Sequence, residues 1–209
     1  MPGCTGYATT LDHITPWSVG GRDTVENLRP ACKHCNSLRN NRIISGYGAT
    51  IHIVTGPPAA GKTTYVAEHA GSNDLVLDFD AIARTLMPAS TITHDHPLFL
   101  RRITAAAWNG ARREMERTAE PVTVWIIKTM PTDARHPSLL TEWIALHYRI
   151  HVVDPGINVV ADRIARGERP ATALDRAKEW YRLGVSERLA SIESSRSSPS
   201  SSSSSRPRL

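Results

Sequence analysis

The sequence predicts an α/β protein: a three-layer domain built on a parallel sheet, preceded by a small module that needs a metal to hold it together. Three observations predict this. A glycine-bounded loop, Gly56-Pro57-Pro58-Ala59-Ala60-Gly61-Lys62-Thr63-Thr64, follows the β-branched run Ile51-His52-Ile53-Val54-Thr55 and precedes a helical stretch from Thr64 to Ala70. Further short apolar runs alternate with helical segments along the chain, as strands joined by crossover helices do. All three cysteines, Cys4, Cys32 and Cys35, fall within the first 35 residues, which sets that stretch apart chemically.

The loop fits G-x-x-x-x-G-K-[ST], and its chemistry follows from its backbone. The turn through Gly56, Pro57, Ala59, Ala60 and Gly61 aims successive N–H groups inward as an anion nest. Lys62 reaches the outer phosphates, Thr63 offers a hydroxyl to Mg²⁺, and Thr64 continues into a helix whose positive end points at the nucleotide. The expected ligand is ATP with its Mg²⁺.

Downstream, Gly71-Ser72-Asn73 reads as a turn, and Leu75 to Asp80 as a second strand that places Asp78 and Asp80 at the loop's mouth; Asp80 also suits a helix N-cap. Pro97 to Arg117 reads as a helix, with apolar positions at Leu98, Ile103, Ala107 and Met115. The third strand, Val122 to Ile127, runs into Lys128-Thr129 instead of an acidic pair. That argues against motor-type ATPases and suits small P-loop kinases. Leu139 to His147 reads as a helix with Trp143 and Leu146 in the core, and Tyr148 to Asp154 as the last strand. Arg163, Arg166 and Arg169 then recur every three residues on a helical stretch, either as a solvated face or as a lid over phosphates. A final helix spans 171–190, with Trp180 and Tyr181 packing. Residues 194–209 are Ser with Arg and Pro and read as a disordered basic tail. The expected divisions are therefore 1–45, 50–190 and 194–209.

The net charge of +5 favours an anionic partner, and 40% hydrophobic residues allow a packed core. No apolar run reaches the length of a membrane span, and no signal peptide is visible. The expectation is a soluble, cytoplasmic protein.

The N-terminal stretch carries Asp12-His13-Ile14-Thr15-Pro16, Gly20-Gly21, Asn27-Leu28 and Cys32-Lys33-His34-Cys35-Asn36. The C-x-x-C turn presents two thiolates to Zn²⁺, while Asp12, His13 and Asn36 suit a harder cation. The stretch is too short to be held by burial alone, so a structural metal is the expected staple. The order of these features resembles the HNH nuclease module, a ββα-metal fold with a zinc ribbon, over roughly residues 1–42. The resemblance implies that His13 is the general base and that Asp12 and Asn36 hold a catalytic Mg²⁺ or Mn²⁺. It also implies that Asn27 braces the loop orienting His13 and that Cys4, Cys32 and Cys35 bind structural Zn²⁺. Such modules carry two C-x-x-C pairs; here the partner of Cys4 would fall at Met1. Three explanations stand open, the first favoured: the natural start lies upstream, a group such as His34 completes the site, or the site has decayed and taken the nuclease with it. Arg22, Arg29, Arg39 and Arg42 read either as charge beside the scissile phosphate or as solvated surface.

From the loop through the three arginines, the chain resembles P-loop kinases of the polynucleotide-kinase and zeta-toxin group, and ATP-binding domains of bacteriophage proteins. That resemblance implies Asp80, with Asp78 as alternative, as the group activating an acceptor hydroxyl. It also implies Arg166, flanked by Arg163 and Arg169, on the phosphates. The combined expectation is a metal-dependent HNH DNA endonuclease fused to an ATP-dependent phosphotransferase, encoded by a phage or another mobile element and working on DNA in the host cytoplasm. The alternatives are a kinase carrying a non-catalytic zinc module, and an ATP-dependent DNA-binding switch.

Overall fold

The computed structural model describes residues 4–87, 96–129, 139–169 and 172–190; the serine-rich tail expected at 194–209 lies outside them. The N-terminal module is a hairpin and a helix. Strand β1 (Thr10–His13) pairs antiparallel with β2 (Leu28–Ala31), which sets Asp12 opposite Arg29, and α1 (Lys33–Arg39) follows. The Cys32 side chain caps α1 by accepting from the Cys35 N–H. The connection between the strands is fastened by Asn27, whose amide donates to the Thr15 and Arg22 carbonyls and whose oxygen accepts from the Thr15 N–H. Gly21 is required here, because a Cβ would stand 1.8 Å from the Thr15 carbonyl oxygen.

The segment that joins the first two expected divisions packs against the second. Ile43 and Ile44 are buried; the Ile43 N–H donates to the Glu116 carbonyl at 2.8 Å and the Ser45 N–H to the Leu146 carbonyl at 3.0 Å. Arg42 pairs with Glu142.

The second domain is built on four parallel strands in the order β4 (Leu75–Leu77), β5 (Thr123–Lys128), β3 (Thr50–Thr55), β6 (Arg149–Val152). Alternation along the strands separates two cores. Ile51, Ile53, Val124 and Ile126 join Trp108, Trp143 and Trp180 on one face. On the other, Val54 and Trp125 pack with Val66 of α2 (Lys62–His69). This second face also holds a polar chain: His52 Nδ1 lies 3.0 Å from His151 Nε2, and the Tyr65 hydroxyl 3.0 Å from His151 Nδ1. Helices on both faces make the expected three layers.

Two elements depart from the sequence reading. The second strand stops at Leu77, and Asp78 caps α3 (Phe79–Leu86) by accepting from the Asp80 N–H at 2.9 Å. The N-cap is thus Asp78, since a carboxylate at this position meets an N–H that the helix leaves orphaned. Helix α4 (Leu98–Met115) buries Leu100, Thr104 and Trp108, while Leu98 and Ile103 face solvent. The chain ends its described course with α5 (Leu139–Ala145), α6 (Ile157–Arg163), a π-type turn at Ile164–Glu168 and α7 (Thr172–Arg182).

Candidate functional site

Strands β3 and β5 send their outgoing connections to opposite faces of the sheet, which leaves a crevice at their carboxyl ends. A cleft of about 1080 Å³ opens there, floored by the loop from Pro58 to Thr64 and walled by Asp78, Asp80 and residues of α4. Lys62, only 8% exposed, donates to the carbonyls of Gly56 (3.0 Å) and Pro57 (2.8 Å), and forms no salt bridge among the described residues. Burial pushes its ammonium down to about 7, Arg169 pushes it further, and Asp78 and Asp80 oppose the shift. A buried cation resting on neutral carbonyls gains most from an incoming anion. Thr63 Oγ1 lies 3.3 Å from Asp78 Oδ2, so two hard oxygens stand side by side. That donor pair fits Mg²⁺.

The three arginines part company. Arg163 lines the cleft and donates to the carbonyls of Ala59 (2.9 Å) and Ala60 (3.1 Å), bracing the loop. Arg166, the expected phosphate contact, instead pairs with Asp162 at 2.6 Å on the exposed side and does not line the cleft. Arg169 lines the cleft and reaches Asp80 Oδ2 at 3.5 Å. Gly167, whose left-handed backbone (φ +87°) ends the helical register, sets Arg169 apart from Arg166.

Asp80 has a second partner that the sequence reading missed: His96 Nε2 stands 2.9 Å from its Oδ1. Trp108, Arg101 and Arg176 also line the cleft and were equally unforeseen. Lys128 Nζ lies 5.6 Å from the centre of the Trp108 ring, within cation–π range.

In the N-terminal module, His13 Nε2 lies 2.5 Å from Asp23 Oδ1, an orienting carboxylate the sequence reading did not name. This leaves the other ring nitrogen to take a proton, and Asn27 holds the adjoining loop as expected. Asp12 is different. It is 1% exposed; its Oδ1 accepts from Arg39 and its Oδ2 from Arg29, both at 3.0 Å from the guanidinium Nε. The Asn36 amide nitrogen is turned toward Thr10 Oγ1 and the Leu11 carbonyl. The expected divalent-cation site at Asp12 and Asn36 is therefore filled by arginine, and the residues as arranged do not fit a metal there. Arg39 is 2% exposed on Asp12, and Arg42 pairs with Glu142.

The thiol cluster does assemble. The sulfurs of Cys4, Cys32 and Cys35 lie within 4.8 Å of one another, and His34 is not part of the group. Met1 lies outside the described residues. Backbone N–H bonds from Cys35 and Thr5 lower the Cys32 thiol to about 6, whereas burial and the neighbouring sulfurs raise Cys35 to about 12. Three soft donors around one point, one readily ionised, fit Zn²⁺.

Residues 3–42 match the HNH endonuclease family model. No curated protein matches the chain. Among solved structures, a chain of the "Pnkp1/Rnl/Hen1 complex" is 15% identical with a TM-score of 0.36, covering 56% of this chain and 39% of that one. The Deinococcus radiodurans tunicamycin resistance protein is 22% identical with a TM-score of 0.34, covering 62% of this chain and 79% of that one. Both likenesses are distant. No described helix is long and apolar enough to cross a membrane.

Proposed function

We propose that the protein processes DNA with two modules: an ATP-dependent phosphotransferase built on the parallel sheet, and an HNH module that engages the DNA. The observation that carries the first half is the division of labour between two carboxylates on one short helix. Asp78 is committed to Thr63 and the helix cap, and Asp80 stands beyond it in the cleft. Lys62 and the loop N–H groups bind the phosphates, and Arg169 neutralises charge from the lid side. Asp80 takes the proton of an acceptor hydroxyl as its oxygen bonds to the γ-phosphorus; the bond to the β–γ bridging oxygen breaks and ADP leaves with the electron pair. Mg²⁺, when bound at Thr63 and Asp78, supplies charge neutralisation of the triphosphate. The basic balance of the chain and the attached HNH module favour a nucleic-acid 5′-hydroxyl as acceptor.

The arginine pairs on Asp12 favour a second reading for the HNH module, in which it holds DNA without cutting it. In the cutting reading, His13 removes the proton from the attacking water, and a cation reaches Asp12 only by displacing Arg29 or Arg39. One pair of assays covers both halves. Labelled γ-phosphate should pass from ATP to a 5′-hydroxyl oligonucleotide and fail to pass with Asp80→Asn. ATP binding with no transfer to any oligonucleotide or nucleotide would sink the kinase reading. Plasmid nicking with added Mg²⁺ or Mn²⁺ that disappears in His13→Ala would establish the nuclease; no nicking by either protein would leave DNA holding.

A further inference from the structure

We propose that His96 is a positioning residue that holds Asp80 as the base of phosphoryl transfer, an inference that rests on the kinase reading. His96 comes just before α4 and Asp80 lies in the first turn of α3, so their 2.9 Å bond ties the starts of two packed helices together at the cleft. The His96 side chain is 4% exposed, and its ring lies 6.1 Å from that of Phe79 at a tilt of 43°. Its other nitrogen, Nδ1, is buried with no hydrogen-bond partner among the described residues.

That unmet atom identifies the tautomer and argues for function. A hydrogen on Nδ1 would be a buried donor without an acceptor. Nε2 is therefore the nitrogen that donates to Asp80 Oδ1, and Nδ1 stays bare. Such a bond orients the carboxylate without taking its charge. An apolar side chain would fill this buried position at lower cost, so the imidazole is there for what it does to Asp80.

The two oxygens of Asp80 have partners of different kinds. Oδ1 is held by His96, from the packed side of the cleft. Oδ2 faces Arg169, which arrives past the left-handed turn at Gly167. Phosphates entering the loop draw Arg169 toward themselves and release Oδ2 to the acceptor hydroxyl, while Oδ1 stays fixed. The proton then passes to an oxygen already aimed at it, which is where small errors of placement are most expensive.

The test compares His96→Ala with His96→Gln, whose side-chain N–H replaces the Nε2 donor. His96→Ala should lower kcat for γ-phosphate transfer by about 100-fold and leave KM for ATP unchanged; His96→Gln should recover most of the rate. On an Asp80→Asn background, His96→Ala should cost nothing further. Imidazole ¹⁵N spectra of the full chain should show the Nε2–H tautomer at His96, disturbed in Asp80→Ala. Unchanged kcat in His96→Ala, with transfer by the wild type, overturns the positioning role and leaves the kinase reading standing. An Nδ1–H tautomer overturns it too, independently of any assay of turnover. A wild type that transfers to no hydroxyl acceptor removes both.

Discussion

Two buried charges set the halves of the molecule against each other. Lys62, in the cleft, is a cation held on the carbonyls of its own loop, and its affinity for a proton is depressed to about 7. Asp12, in the N-terminal module, is an anion already met by two guanidinium groups. The first site is short of negative charge and gains on binding a phosphate. The second is satisfied, and any cation that enters must displace what holds it. The loop around Lys62 thus shows its need of an anion in its own hydrogen bonds, whereas what the N-terminal module can bind depends on how easily Arg29 or Arg39 lets go.

The comparison can be broken most visibly at Lys62. Lys62→Ala should reduce phosphate transfer by about a thousandfold, the cost of losing a transition-state cation, while leaving the fold's thermal transition in place. Undiminished transfer would show that the buried ammonium is not the phosphate's partner. Next in size is Arg39→Ala, which strands Asp12 with one partner and should destabilise the N-terminal module by about 3–5 kcal/mol. Native-state hydrogen exchange of the β1 and β2 amides checks it, and an effect below ~1 kcal/mol would mean that Asp12 is free to bind other cations.

Acid tests the face of the sheet on which α2 packs. Burial, with His151 and Arg149 nearby, pushes the His52 imidazole down to about 4 from an ordinary 6.5. Between those values the unfolded chain binds the proton and the folded one does not. Stability is therefore full above about pH 6.5 and falls toward pH 4, by up to about 3 kcal/mol. Unfolding of His52→Gln should show a flatter pH dependence; an identical slope would assign the acid sensitivity to other groups.

Much of the fold was legible because its signals are local. The strand, loop and helix around Lys62 are contiguous, and the C-x-x-C turn and Asn27 carry their meaning in short spacings. What escaped depends on contacts between distant segments. Asp12 and Arg39 are 27 residues apart, and nothing in either neighbourhood announces that they meet. His96 is a lone histidine outside any pattern, brought to Asp80 by the packing of α3 on α4. Of the three arginines, Arg166 turns away from the cleft that Arg163 and Arg169 line. Their spacing assumed one continuous helix, yet Gly167, followed by Pro170, was a readable stop signal that separates Arg166 from Arg169.

The most direct test of the central claim is calorimetry of ATP·Mg²⁺ binding to the wild type and Lys62→Ala at pH 6.5 and 8.5, in buffers of different ionisation heat. With the Lys62 ammonium pushed down to about 7 by burial, the cleft should take up a proton on binding phosphate at pH 8.5. Its affinity should fall by up to about tenfold per pH unit above 7, and Lys62→Ala should show neither effect. Tight binding by the wild type with no proton uptake and no pH dependence would contradict the account.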